Sequence, residues 1–240
     1  MEMKSAKKNS LKSLAMLVFT ALFYTSCTDT TEVGLEGKVN VMVVNAIPTD
    51  DSIDFYLDSA RFTPLSLGFR EYMPYDSVAG GRRSAEIMRA GENAFALSKN
   101  LYLNPYRNYS FFITHTDSLN TDLSYVATVD NLVEPSLGTS ARLRFIHLSP
   151  DEKGVDLYTQ RDTFALTKTF SNAYFKSASV FQDIRAGNYR FLLTPVGSTE
   201  EIVSVSNLVL LPKKSYTLFI SGFKAASDDK SLRISLIQNN

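Results

Sequence analysis

The feature that most constrains this 240-residue chain is a stretch it carries twice. Residues 39–45 read Val-Asn-Val-Met-Val-Val-Asn, followed by Ala46-Ile47-Pro48, an acidic turn, and Ile53-Asp54-Phe55-Tyr56. Residues 141–147 read Ala-Arg-Leu-Arg-Phe-Ile-His, followed by Leu148-Ser149-Pro150, an acidic turn, and Val155-Asp156-Leu157-Tyr158. Pro48 and Pro150, Asp54 and Asp156, and Tyr56 and Tyr158 share a single offset along the chain. Each copy reads as strand, turn, strand: an apolar run, then a Pro-Asp-Ser turn, then a two-residue alternation. The repeat closes in kind. Pro105, Tyr109, Phe112 and Ile113 are matched by Pro212, Tyr216, Phe219 and Ile220 at a slightly longer offset.

Between these anchors, turn signals recur every ~8–12 residues and helical periodicity is absent. The spacing predicts about seven short strands in each half and hence an all-β fold of two tandem antiparallel β-sandwiches. Residues 38–130 form the first, 131–140 a linker, and 141–240 the second. Residues 82–97 admit two strands or a short helix, and 174–181 read as a strand. Gly80-Gly81 and the Arg185–Asn188 stretch with Gly187 read as hairpin turns in which glycine supplies a positive φ.

The first residues are set apart from this plan. Lys4, Lys7, Lys8 and Lys12 precede an uncharged apolar run at 14–24, too short to span a bilayer and of signal-peptide length. Tyr24-Thr25-Ser26-Cys27 resembles a lipobox, and Cys27 is the only cysteine, so no intramolecular disulfide exists. Residues 1–26 are thus expected to be a lipoprotein signal peptide, Cys27 the lipid attachment site, and 27–37 a flexible polar tether. The acidic Thr28–Glu32 stretch resembles an export tag of Gram-negative surface lipoproteins. The expected address is the outer membrane, lipid-anchored, at the cell surface or facing the periplasm.

Residues 142–150, with Val155-Asp156-Leu157-Tyr158, resemble the opening of a bacterial domain-of-unknown-function family. Arg185-Ala186-Gly187-Asn188-Tyr189 and Tyr216-Thr217-Leu218-Phe219-Ile220-Ser221-Gly222 carry the same resemblance. Members occur as tandem immunoglobulin-like or transthyretin-like sandwiches in secreted proteins and surface lipoproteins. The resemblance implies a fold and an address. It brings no catalytic or ligand residues with it.

Chemistry-bearing residues are few. The chain has two histidines and no tryptophan. Alternation puts His147 in step with Ala141, Leu143 and Phe145 on the inward face, where Asn45 is its counterpart. A place that accepts either His or Asn points to bonding of turn amides and away from metal ligation or base catalysis. His115 is expected to face water. The acidic turns (Asp50, Asp51, Asp54; Asp151, Glu152, Asp156) lack EF-hand spacing and read as turn chemistry. Asp54 with Tyr56, and Asp156 with Tyr158, are expected to bond a neighbouring loop and cover a sheet edge. No Gly-x-Ser-x-Gly nucleophile motif or phosphate loop occurs. Removing the leader takes four lysines but only Glu2 among the acids, and a slightly acidic mature chain has no electrostatic reason to hold nucleic acid. The expectation is a non-enzymatic envelope protein with no cofactor or metal. Its partners would be the membrane, through the lipid, and a protein or glycan ligand. Alternatives are a fimbria-like subunit and a carbohydrate-binding accessory of a polysaccharide-processing system.

Overall fold

Both faces of the first strand of each half are buried. Val39, Val41 and Val43 pack to one side and Met42 and Val44 to the other. Ala141, Leu143 and Phe145 likewise oppose Ile146 and Leu148. A strand covered on two sides loses the apolar–polar alternation, which is why these runs read as continuous. The computed structural model describes residues 37–117 and 122–240; the expected leader, Cys27 and the tether before Gly37 lie outside the described residues. Residues Leu35–Asn240 form one compact unit, and the account below concerns it alone.

The first half contains β1 (Lys38–Asn45), β2 (Ile53–Leu57), β3 (Ala60–Arg61), β4 (Tyr72–Ala79), β5 (Gly81–Arg89), β6 (Leu97–Leu103), β7 (Asn108–His115) and β8 (Leu123–Asp130). The second contains β9 (Ser140–Leu148), β10 (Gly154–Arg161), β11 (Thr167–Tyr174), β12 (Gln182–Arg185), β13 (Gly187–Pro195), β14 (Val203–Leu210), β15 (Ser215–Ser221) and β16 (Arg233–Gln238). The sheets run β4-β1-β7-β8 and β3-β2-β5-β6, then β12-β9-β15-β16 and β11-β10-β13-β14. The second pair repeats the first strand for strand. Of the two sandwich types that the resemblance implies, this order is the transthyretin-like one. In the immunoglobulin arrangement the first strand lies beside the second, whereas here it lies between the fourth and the seventh.

Several local expectations need correction. The sheets are not wholly antiparallel: β1 runs parallel to β7, and β9 to β15. Most of a sandwich intervenes between those strands, long enough for a crossover. Residues 82–97 hold no helix. The strand expected at 174–181 ends at Tyr174; Lys176 takes a φ of 66° and breaks the ladder there. Gly80-Gly81 and Arg185–Asn188 are not hairpins. They carry the chain from one sheet of a sandwich to the other, β4 to β5 and β12 to β13, and Gly81 has φ 100°.

Each sandwich has its own core, around Phe55 and Phe111 in the first and around Leu157 and Phe191 in the second. A third core lies between them, where β4-β1-β7-β8 packs on β12-β9-β15-β16. Met42, Val44, Phe112, Ile146, Leu148 and Phe219 fill it, and the Phe112 and Phe219 rings meet at 6.1 Å. Each such side chain contributes about 1.5–3 kcal/mol by burial. The halves therefore pack as one unit. They lie side by side with the starts of β1 and β9 at the same end: the Arg142 guanidinium donates to the Asn131 and Val133 carbonyls there.

At the other end two straps cross between the halves, again as twins. Arg70 and Lys176 both have positive φ (68° and 66°). Their amides donate to the Asn45 and His147 carbonyls, each at 2.8 Å. The Arg70 guanidinium then donates to the carbonyls of Asp229 (2.7 Å), Ser231 (2.6 Å) and Ser221 (3.2 Å) in the second half. Lys176 Nζ donates to the Thr116 carbonyl (2.6 Å) and Ser124 Oγ (3.2 Å) in the first. Arg70→Ala leaves those carbonyls without their charged donor, and a loss of about 2 kcal/mol in urea unfolding is expected. A change within about 0.5 kcal/mol, the range of ordinary surface substitutions, would show the strap to be idle.

Candidate functional site

The repeated motif residues hold turns in place. Asn45 is fully buried; its Oδ1 accepts from the Ile47 amide (2.9 Å) and its Nδ2 donates to the Leu67 carbonyl (2.8 Å). His147, also fully buried, accepts at Nδ1 from the Ser149 amide (3.3 Å) and meets the Phe175 ring at 6.3 Å. Burial pushes the imidazole down to about 4, so it is neutral at pH 7. Pro48 and Pro150 are buried behind these turns. His115 is buried as well, not in water. It ends β7 against Phe223 of the other half, because the sheet bearing it is covered by the second sandwich.

The acidic residues are occupied. Asp54 meets Arg61 at 2.6 Å. Asp156 accepts from Lys168 Nζ (2.6 Å) and from the Asn172 (2.9 Å) and Gly197 (3.2 Å) amides. Burial opposes its charge, but these donors outweigh burial and hold its carboxyl below the ordinary range. Asp151 accepts from the Lys224 and Ala225 amides, and Glu152 pairs with Lys224 at 2.7 Å. Among the described residues no cluster of three or more His, Cys, Asp or Glu side chains is placed to hold a metal.

Tyr56 and Tyr158 are half-buried. The first meets Phe95 edge-on at 5.2 Å, and the second lies under Lys168 at 5.3 Å. Tyr216 Oη accepts from the Leu211 amide (3.0 Å), and its twin Tyr109 accepts from the Asn104 amide (2.8 Å). Each phenol pins the connection entering its own strand. At Gly187 (φ 151°) a Cβ would stand 2.9 Å from Arg161 Cδ. These residues shape the scaffold. The Ser149 hydroxyl donates to the Gly222 carbonyl at 2.7 Å, with Asp151 Oδ1 at 3.2 Å, and not to His147.

The two sandwiches differ in the seam between the edge strands of their two sheets. In the first, Phe62, Leu67 and Met73 pack into the core there and close it. In the second, the seam between β11 and β12 is open. Its lower part is a cleft of about 370 Å³, with Arg161, Phe164, Thr167, Gln182, Asp183 and Arg185 in its walls and Phe170 at its floor. A second cleft of about 350 Å³ adjoins it, sharing Phe170 and Gln182. Phe164 sits in the β10–β11 hairpin. Its amide donates to the Arg161 carbonyl (2.9 Å), and its carbonyl accepts from Gln160 Nε2 (3.0 Å). Its ring is 59% exposed, with the Arg161 guanidinium 4.6 Å above it. One aromatic face ringed by guanidinium, amide, hydroxyl and carboxylate groups can bind a polar ligand. The repeat points away from this cleft, since the cleft exists where the halves diverge.

Residues 39–158, which take in the first sandwich, β9 and the start of β10, match the domain of unknown function family DUF4397. No curated protein matches the chain. Among solved structures, the CBMbc module (family CBM26) of Eubacterium rectale Amy13K, in complex with maltoheptaose, is 10% identical with a TM-score of 0.25. That match covers 82% of this chain and 96% of the other. Family 41 carbohydrate-binding modules from streptococcal virulence factors, described for α-glucan recognition, are 14% identical with a TM-score of 0.25, covering 84% and 97%. Likeness at these scores is coarse. The family match spans half of the sequence, and with it the chain belongs to the DUF4397 family of unknown function.

Proposed function

We propose that this chain is a non-catalytic binding protein of the bacterial envelope, held to the outer membrane by lipid on Cys27, and that the open seam of its second sandwich takes a glycan. The observation that carries the reading is the difference between the two seams. One is sealed by Phe62 and Leu67, and its twin is left open beside an exposed ring. A sugar offers an apolar C–H face to an aromatic ring and hydroxyls to flanking groups such as Gln182, Thr167 and Arg185. Support for a non-catalytic role comes from the two histidines, both buried, and from the carboxylates of the acidic turns, most of them bonded to loops and cations. The fimbria-like alternative needs an exchangeable edge strand. β16 is paired with β15 along its whole length, and Asn239 beyond it bonds Thr217 and Tyr75, which weighs against that alternative.

A panel of soluble polysaccharides and a glycan array test the seam. Phe164→Ala is expected to weaken binding about tenfold, the upper range for one aromatic contact, while Tyr102→Ala on the first sandwich leaves it unchanged. Binding indifferent to Phe164, or no glycan retained at all, would overturn the assignment. Intact mass of the native protein tests the anchor separately.

A further inference from the structure

The end of the body at which β1 and β9 begin differs from the opposite end in charge; both ends expose large apolar side chains, Leu65 and Tyr174 among those of the far end. The register places Lys38, Arg107 and Lys214 there, at the starts of β1, β7 and β15, with Arg82 at the start of β5 and Arg185 at the end of β12. Among the described residues the acids of this end face cations: Asp58 meets Arg83, Glu134 meets Lys213, Asp162 meets Arg161, and Asp183 meets Arg142. Lys38, Arg82, Arg107, Arg185 and Lys214 remain without a carboxylate partner among the described residues. The same end exposes large apolar side chains: Tyr106 (81%), Val133 (68%), Val129, Leu137 and Leu211. Tyr106 and Val129 flank the start of β1, since the Tyr106 amide donates to the Lys38 carbonyl and Val129 pairs with Tyr109. The far end is acidic, with Asp50, Asp51, Glu92, Asp151, Asp228 and Asp229 in its turns.

We infer that the basic, apolar-studded end of the body docks on an anionic lipid surface, with Lys38, Arg107 and Lys214 over headgroup phosphates and Tyr106 and Val133 at the depth of the headgroups. The inference rests on the proposed lipid at Cys27 for its setting, but its chemistry stands on the body alone. Cys27 precedes Gly37 by ten residues in the sequence, and ten residues span at most about 35 Å. An anchor so close keeps this end next to the bilayer, where each unpaired cation adds electrostatic attraction and an aromatic ring with one polar edge suits the interface. The acidic end then faces away, and the lower part of the seam, with Arg161, Phe164 and Arg185, lies at the rim of the docking end.

The test uses the unit Leu35–Asn240, which holds all three cores, without lipid. Flotation is measured with vesicles of phosphatidylglycerol and phosphatidylcholine, or of phosphatidylcholine alone. Binding is expected to the anionic vesicles only and to weaken with salt. The triple variant Lys38→Glu/Arg107→Glu/Lys214→Glu is expected to lose tenfold or more in affinity. Lys153→Glu/Arg233→Glu, at the acidic end, should bind like the parent, and thermal melts check that each variant is folded. Equal binding to neutral vesicles, equal loss from the two charge reversals, or no binding to either vesicle would overturn the inference. A full-length chain whose mass shows no acylation would instead remove the anchor and leave the vesicle result intact.

Discussion

Arg144→Met is expected to lower the unfolding free energy by about 3–5 kcal/mol, the cost of stranding one member of a buried ion pair. The Arg144 and Asp130 side chains are 2% and 0% exposed, and they pair between the two sandwiches. Arg144 Nε donates to Thr217 Oγ1 (2.7 Å), and Nη1 donates to Thr128 Oγ1 (2.8 Å) as well as to Asp130. Tyr75 and Ser110 donate to the second oxygen of Asp130. Burial, together with the Asp130 charge, pushes the Tyr75 phenol above its ordinary range, so it stays protonated and remains a donor. With Arg144 gone, a carboxylate is left in a dry interface with neutral donors only.

The twin positions say what should rescue the loss. By register, Arg144 corresponds to Met42, Asp130 to Asn239 and Tyr75 to Phe181, and the Phe181 ring lies 4.6 Å beneath the guanidinium. Arg144→Met with Asp130→Asn gives each half what its partner already carries and strands no charge. The double variant is expected to recover most of the stability, and a double-mutant cycle in urea reads the coupling. Strictly additive losses, or a single-variant loss below about 1 kcal/mol, would falsify the assignment of a shared buried pair. The pair also discriminates between partners. A first half facing another first half would bury two aspartates with no arginine, and two second halves the reverse, so the charges favour the first-with-second arrangement.

The duplication was legible because it preserves residues with strict local duties. Pro48 and Pro150 end strands, Asn45 and His147 bond turn amides, and Tyr109 and Tyr216 pin the connections before their strands. The interface between the halves was not legible as such, although its signal was present. Met42 and Val44, and Ile146 and Leu148, are apolar at positions where a sandwich with one wet face would be polar, and Arg144 among them is the buried cation of the interface. The parallel pairs and the β11 strand escaped because both depend on which distant segments meet. Thr167–Tyr174 is mostly polar on an edge, so its sequence resembles a loop. The cleft was illegible for a related reason. It arises where β11 lacks the plug that Leu67 supplies in the first half, and an absent side chain leaves no motif.

Acid should weaken the fold in a window set by His147. Its ordinary value is 6.5 and its folded value about 4. Burial is the leading cause, and the Asp151 carboxylate and nearby backbone pull weakly the other way. Between those values the unfolded chain takes up a proton that the folded chain refuses. Stability is therefore full above pH 6.5, falls as the pH drops towards 4, and levels off below. The loss on this account is about 3 kcal/mol. His115 is also held low, by burial and then by Arg89, and adds in the same direction. Asp156, held below 3.8, contributes stability that is lost only at still lower pH, so the windows separate. His147→Asn installs the residue that Asn45 already provides in the twin turn, with an amide oxygen able to accept from the Ser149 amide. Urea midpoints from pH 4 to 7.5 are expected to fall steeply for the parent and about 3 kcal/mol less for His147→Asn, with little difference between them at pH 7.5. Parallel curves would mean that His147 is wet and titrates in the folded chain as it does in the unfolded one, and the buried turn described for it would then be wrong.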